Sequence, residues 1–116
     1  MKKKSVLLFA LANIALSNKD GYTVNAQTLK PVTKGYAVAV AATQNSFGSE
    51  GLARVVKYVE NNHEVNAFGG WYNSDNGLYY YDAIIVVDDL KQTIELGRAN
   101  NQIAVFDLAN CQEIRL

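Results

Sequence analysis

The sequence is poor in residues on which several kinds of site depend. Its 116 residues include one cysteine and one histidine. A single cysteine excludes a disulfide framework, a cysteine-rich zinc site and CxxC redox chemistry. A single histidine, His63, excludes a histidine-rich metal site, and although Glu64 lies beside it, nothing places a nucleophile or a second acid nearby. We therefore expect neither a metal nor a cofactor.

A surplus of charge is missing as well. The chain carries 11 basic and 11 acidic side chains, so its formal net charge is zero. Proteins that coat DNA or RNA need a basic surplus, and we therefore expect no duplex nucleic acid as a partner. The apolar stretch at residues 5–16 is too short to cross a bilayer as a helix, and no membrane partner is expected.

Catalytic motifs are absent too. The sequence contains no Walker loop, GxGxxG, HExxH or GxSxG motif. Cys111 lies in a polar turn and has no evident base to activate its thiol. We therefore predict that the protein is not an enzyme.

The N-terminus permits two interpretations. A basic run at residues 1–4, the apolar stretch that follows it and small residues at 15–17 are typical of a secretory signal peptide, which would make the protein periplasmic or secreted. Alternatively, Leu7 and Leu11 recur at helical spacing with Ile14, which indicates an amphipathic helix. Because a polar asparagine interrupts the apolar run, we favour the helix and expect an N-terminal helix over residues 1–20.

The remaining residues, 21–116, are predicted to form a single α+β domain. The apolar fraction of 49 % is enough for a core. Strand-like patterns occur at residues 22–25, 35–42, 65–72, 78–87, 103–108 and 113–116. One helix is expected to enter at Ser49, and another at Asp89 with Gln92 completing its capping box. Since hairpins are evident and regular βαβ alternation is absent, we predict a mostly antiparallel sheet of about five strands, with two packing helices and the N-terminal helix.

Two groups of residues suit a bound ligand. In residues 68–72 (FGGWY), two glycines allow close backbone approach beside Trp71, unless they form a β-bulge packed on its ring. Tyr80 and Asp82 share one face of the next strand by alternation, where the carboxylate must meet solvent, a ligand hydroxyl or a backbone loop.

The second group ends the last helix, in residues 97–102 (GRANNQ). Arg98 suits a phosphate, Asn100 and Asn101 suit base edges or ribose hydroxyls, and Arg115 lies near enough to the C-terminus to join them. A capped helix end with a surface arginine is the structural alternative. Stacking supplies about 1–3 kcal/mol per base, whereas nanomolar affinity needs about −12 kcal/mol. The site would therefore have to be enclosed, which in so small a chain favours a homo-oligomer.

The chain also resembles a known group of proteins over most of its length. The resemblance lies in residues 21–25 (GYTVN), 33–38 (TKGYAV), 69–71 (GGW), 80–82 (YYD) and 101–108 (NQIAVFDL). These segments resemble small accessory proteins of phages and mobile elements, and among them the first anti-Thoeris sponge family. The resemblance implies an oligomer that sequesters cyclic ADP-ribose isomers, and in some members cyclic oligonucleotides, without cleaving them, in pockets between protomers.

We therefore expect a non-catalytic, homo-oligomeric phage protein that acts in the host cytoplasm and sequesters a nucleotide-derived immune signal. Trp71 and Tyr80 would stack the base, and Arg98 and Arg115 would bind phosphates. Asp82, Asn100 and Asn101 would read polar edges. The alternative is a protein–protein interaction module, such as a virion component or an inhibitor of a host protein, in which the aromatic residues form an exposed patch.

Overall fold

A computed structural model describes residues 4–116. The helices are α1 (Lys4–Ser17), α2 (Gly48–Asn61) and α3 (Leu90–Ala99). The strands are β1 (Tyr22–Asn25), β2 (Tyr36–Ala39), β3 (Ser46–Phe47), β4 (Ala67–Asn73), β5 (Leu78–Val87), β6 (Ala104–Asp107) and β7 (Gln112–Arg115). Lys2 and Lys3 of the predicted N-terminal segment lie outside the described residues.

The strands form one antiparallel sheet in the order β1-β4-β5-β2-β6-β7. The short strand β3 pairs with β5 at Tyr80 and Tyr81, near the start of β5. This arrangement confirms the predicted α+β class, with two packing helices and an N-terminal helix. Over residues 4–116 the sheet has seven strands where about five were expected. Ser46 and Phe47 of β3 were not predicted as a strand, because a strand of two residues is too short to show alternation.

The three helices of residues 4–116 lie on the same side of the sheet, which we call the helix face. Phe68 on β4 and the apolar residues of α2 form the main core there. α3 contacts β2 and β6, and its buried Gly97 leaves room for Val105 of β6. Since Val105 alternates with Phe106, which points to the other side of the sheet, α3 belongs to the helix face as well.

Two helix entries were predicted with different results. The Asp89 carboxylate accepts a hydrogen bond of 2.8 Å from the Gln92 backbone N–H, which confirms the predicted cap of α3. α2 begins at Gly48, and no side chain caps its first turn, so the prediction that Ser49 caps it was wrong. The β3 strand before it holds the chain extended up to Phe47, which moves the start of the helix forward.

α1 packs on the core with one side only. Leu7 and Leu11 of the predicted stripe are buried in the main core, but Ile14 is only partly buried and Ala15 takes the third inward position. Its outer side is also apolar, because Phe9 and Leu16 are 71 % and 75 % exposed. The predicted amphipathic character is therefore missing. None of the helices in the described part of the chain has the length and apolar content needed to cross a bilayer.

Gly70 is required where the sheet meets the end of α1. The ring of Tyr22 on β1 stacks on Tyr79 of β5 above this glycine, with centroids 6.3 Å apart. A Cβ on Gly70 would collide with both rings. The Tyr79 hydroxyl donates a hydrogen bond of 2.8 Å to the backbone carbonyl of Asn18, just after α1. The tyrosine pair thus joins the N-terminal helix to two strands.

Candidate functional site

The side of the sheet opposite the helices, which we call the open face, carries no helix from residues 4–116. Because side chains alternate along a strand, every second residue of β2, β4, β5 and β6 points to it. These residues include Ala37, Ala39, Ala67, Gly69, Trp71, Tyr80, Asp82, Ile84, Val86, Ala104 and Phe106. The predicted shared face of Tyr80, Asp82 and Ile84 is confirmed by this register.

A cavity of about 760 Å³, which we call the sheet pocket, lies on the open face. Its floor is made of small residues: Ala37 and Ala39 on β2 and Gly69 on β4. A Cβ on Gly69 would lie 2.9 Å from Cγ1 of Ile84, so an alanine there would raise the floor. Cavities of about 300–1,000 Å³ with mostly apolar walls are typical of small-molecule sites.

The two ends of the sheet pocket differ. At one end Val32, from the loop between β1 and β2, and Leu108 pack with Ala37 and Ile84 in a second, smaller core. This contact closes that end with apolar side chains. The other end meets aromatic rings and remains open.

An aromatic row crosses the open end. Trp71 stacks on Tyr80 with ring centroids 4.9 Å apart and planes at 15°. Phe47 meets Tyr80 edge to face at 5.6 Å. Trp71 lines the sheet pocket directly, whereas Tyr80 supports it from behind and does not itself line the cavity. Trp71 and Phe47 remain 43 % and 47 % exposed, so their ring surface is available to a ligand.

Asp82 is the polar side chain in the floor of the sheet pocket. It lies directly across from Gly69, so no side chain covers it from β4. Within the described residues, neither a hydrogen bond nor an ion pair reaches its carboxylate. Burial, which penalises the charged form, raises the pKa of Asp82 to about 6. Asp82 is half-buried and its carboxylate remains in contact with the cavity, so solvent or a ligand, and no side chain of the described residues, is left to partner it when it is ionised.

The charged groups around the rim are mostly acidic. Asp20 precedes β1, and Glu113 lies on β7. Among the described residues that line the pocket, none is a lysine or arginine. Arg115 is next to the lining, because it pairs across the strands with Ala104 and shares the open face with Glu113. Its Nε lies 3.2 Å from Oε1 of Glu113, and both side chains are largely exposed.

The structure divides the seven residues predicted for the site into two groups. Trp71, Tyr80, Asp82 and Arg115 share the open face. The other three, Arg98, Asn100 and Asn101, lie at the C-terminal end of α3, on the helix side of the sheet, and none of them lines the sheet pocket.

The two asparagines have structural contacts of their own. Asn100 accepts a hydrogen bond of 3.1 Å from the Ala41 backbone N–H through Oδ1, and it donates one of 3.0 Å from Nδ2 to the Leu96 carbonyl. Asn101 takes the left-handed conformation that commonly follows the end of a helix, with φ 56°. The polar groups of the Asn100 side chain are therefore already used within the chain.

Most residues of the pocket lining were not among those predicted for the site. Ala37 and Ala39 alternate with larger residues along β2, and such small side chains leave space for a close neighbour, which is the signal that locates the floor. Phe106 alternates with buried Val105 in β6, a pattern that also indicates an exposed apolar side chain. Glu113 gives no signal of its own, because its place at the rim depends on how β7 pairs with β6.

Neither a metal site nor a related protein indicates which ligand the described residues bind. No three metal-ligating side chains cluster within the residues that the structure describes. Comparison of the chain with protein-family models, curated proteins and solved structures returns no match. The functional argument therefore depends on the side chains of the open face.

Proposed function

We propose that the protein is a non-catalytic binder that sequesters a small nucleotide-derived molecule in the sheet pocket. One observation carries the proposal: an apolar cavity on the uncovered face of the sheet contains a carboxylate, that of Asp82, without a partner among residues 4–116. Ligand pockets typically combine such apolar walls with a few polar groups that orient the ligand. A polar group of the ligand would supply the missing partner of Asp82.

The aromatic row supports a flat ligand. Trp71 is held in place by its stack on Tyr80 and presents its exposed surface to the pocket. A base stacked on such a ring is stabilised by about 1–3 kcal/mol. The glycine and alanine floor lets a planar group lie close to the backbone of β2 and β4.

Arg115 supports a phosphate at the opposite side of the same face. Asp82 is on β5 and Arg115 on β7, with β2 and β6 between them. Three strand spacings of about 4.8 Å separate their strands by about 14 Å across the sheet, and Asp82 lies two residues along β5 from Ile84, which is level with Arg115. A nucleotide whose base contacts Asp82 would thus direct its phosphate toward the guanidinium, which binds phosphate well.

The residues at the end of α3 fit this proposal only through a second copy of the chain. Arg98 and Asn101 are exposed but lie away from the sheet pocket. The pocket is half open, and tight binding of a nucleotide favours enclosure because association itself is costly. A homo-oligomer in which the α3 end of one protomer covers the open face of another would supply both the cover and the cation.

We assign the biological role by the resemblance described above. Sequestration of a cyclic ADP-ribose isomer or a cyclic oligonucleotide in the host cytoplasm would counter a bacterial immune response. Such a role needs tight binding and no turnover. The sheet pocket suits it, because its lining contains no base and nucleophile at hydrogen-bonding distance among the described residues.

Isothermal titration calorimetry against cyclic ADP-ribose isomers and cyclic di- and trinucleotides tests the proposal. We expect at least one of them to bind with micromolar affinity or better. Trp71→Ala should weaken that binding at least about tenfold through loss of stacking. Tyr72→Ala is the matched control, because the neighbouring Tyr72 is equally exposed but points to the other side of the sheet. If none of these ligands gives a measurable heat of binding, the proposed function is rejected.

A second measurement separates a binder from an enzyme. The protein is incubated with the ligand that binds, then denatured, and the released small molecule is analysed by mass spectrometry. Intact ligand supports sequestration. Altered product would mean that the protein catalyses a reaction.

A protein–protein interaction module is the second candidate, because the open face also exposes large aromatic side chains. Phe47, Trp71 and Phe106 are all between 39 % and 47 % exposed. Under this hypothesis a host protein or virion component covers the open face. That partner should remain stably bound when this chain is pulled down from host lysate. Loss of that partner in Phe106→Ala, with no nucleotide bound by the wild type, would favour this candidate.

A further inference from the structure

The floor of the sheet pocket restricts which hydrogen-bonding groups a ligand can place there. The inference drawn from this restriction rests on the proposed function. In that floor Asp82 lies across from Gly69 on β4, and on its other side Ala39 of β2 pairs with Ile84, the next residue of β5 on the same face. None of these neighbours has a side chain that donates a hydrogen bond. Whatever fills the pocket must therefore satisfy the carboxylate itself.

An ionised carboxylate only accepts hydrogen bonds, and its two oxygens suit two parallel donors on one planar group. A ligand that placed an acceptor there would meet an unpaired, desolvated charge. The group that best fits Asp82 thus has two adjacent N–H donors in one plane. This requirement is stricter than the stacking on Trp71, which every base can satisfy.

Among the common nucleobases, guanine has such an edge. Its N1–H and its exocyclic N2–H point the same way, side by side. Adenine places an acceptor, N1, next to its amino group, cytosine places N3 next to its amino group, and uracil flanks its N3–H with two carbonyls. We propose that Asp82 binds the N1–H and N2–H edge of guanine, so that the ligand class of the sheet pocket is guanine-containing nucleotides.

The state of the carboxylate supports this assignment. With its pKa raised to about 6 by burial, Asp82 is mainly ionised at neutral pH and pairs with donors. Below pH 6 the protonated acid would donate one hydrogen bond and accept one, which suits the N1 and amino edge of adenine as well as the O6 and N1–H edge of guanine, so the preference for guanine should weaken. The other titratable groups that line the pocket are Asp20, Tyr22, Cys111 and Glu113.

Calorimetry with three nucleotides at pH 7.5 tests the inference: GMP, IMP, which lacks the N2 amino group, and AMP. We expect GMP to bind about tenfold or more tightly than either of the others, as befits a hydrogen bond to a charged group. At pH 5 the preference of GMP over AMP should shrink. Equal affinity for the three nucleotides at pH 7.5 would overturn the inference.

Asp82→Asn provides the sharper test, because the amide keeps the shape and replaces one acceptor with a donor. The amide can pair with the N1 and amino edge of adenine as well as with the O6 and N1–H edge of guanine, so the preference for GMP over AMP should be lost in this variant at pH 7.5. Asp82→Ala should bind both nucleotides equally. Glu113→Gln is the control, since it removes a rim carboxylate and should leave the order unchanged. A preference for GMP that survives both Asp82 substitutions would overturn the inference.

Two additional titrations distinguish guanine from a simpler cation and separate the inference from the proposed function. Methylguanidinium carries the same pair of donors without a base, and if it binds as tightly as GMP, the recognised group is a guanidinium and the inference fails. If nucleotides bind in a Trp71-dependent way but without a preference for guanine, the proposed function stands and the assignment of Asp82 falls. If no nucleotide binds the wild type, both fall.

Discussion

The two faces of the sheet are built from the same strands, but one face is buried under helices and the other is largely exposed. On the helix face, the core formed with α1 and α2 leaves only 1 % of Phe68 exposed. On the open face, Phe106 remains 39 % exposed beside a cavity. Alternation places both kinds of residue within single strands, so each strand serves the core with one set of side chains and the pocket with the other.

This division separates stability from binding. Residues of the helix face are close-packed, so a change there affects the free energy of unfolding. The exposed residues of the open face, such as Trp71 and Phe106, are partly solvated, so they are freer to differ without unfolding the chain than its buried residues Ala67 and Ile84. The helix face therefore stabilises the fold and the open face forms the pocket. The following predictions test how far substitutions on one face leave the role of the other unchanged.

The largest effect is expected from a matched pair of phenylalanines. Phe68→Ala should lower the free energy of unfolding by about 3–5 kcal/mol, because it opens a cavity in the core. Phe106→Ala should lower it by about 1 kcal/mol or less, because that ring is partly solvated. Urea denaturation measures both. Similar losses in the two variants would show that the open face contributes to stability as much as the core does.

The second effect depends on pH and on Asp82. Burial raises its pKa from the ordinary value of 3.8 to about 6, so the unfolded chain releases this proton at lower pH than the folded chain. The free energy of unfolding should therefore fall as pH rises from 4 to 6, by about 3 kcal/mol when fully developed. Below pH 4 both states are protonated and this contribution is complete.

Chemical denaturation of the wild type and Asp82→Asn across pH 3–7 isolates that contribution. The variant, which cannot ionise, should be the more stable protein at pH 7, and the difference between the two should shrink toward pH 4. Parallel pH profiles would mean that solvent reaches the carboxylate freely.

Neighbouring glycines on opposite faces predict a smaller difference. Gly70→Ala should destabilise the fold by about 1–3 kcal/mol, because a Cβ there displaces the stacked rings of Tyr22 and Tyr79. Gly69→Ala should cost about 1 kcal/mol, since it presses on Ile84, but it should also fill the pocket floor. Thermal unfolding with calorimetric titration distinguishes them: loss of stability without loss of ligand is expected for Gly70→Ala alone.

The smallest effect concerns the end of α3. Asn100→Ala should lower the free energy of unfolding by about 1 kcal/mol, because the Ala41 N–H loses its acceptor. Arg98→Ala, two residues earlier and exposed, should change it by less than about 0.5 kcal/mol. Urea denaturation of the two variants decides whether this segment is a structural cap. An unchanged Asn100→Ala variant would speak against that role.

Much of the fold follows from local patterns. The alternation of β5 predicted that Tyr80 and Asp82 share a face, and the Asp89 cap was predicted from its spacing to Gln92. The site was only partly predictable. Arg98 and Arg115 were grouped by chemistry, yet they lie on different sides of the sheet, because the face that each occupies depends on strand pairing and helix packing far along the chain.

By itself, the sequence determined the period of each element, since backbone geometry sets how often side chains return to one side of a strand or helix. Tertiary structure alone decided that Gly69 lies opposite Asp82 and that the helices pack on the other face. Both depend on contacts between distant segments, which no local pattern records. The pocket exists because those distant pairings leave one side of the sheet uncovered and place small residues around a single carboxylate.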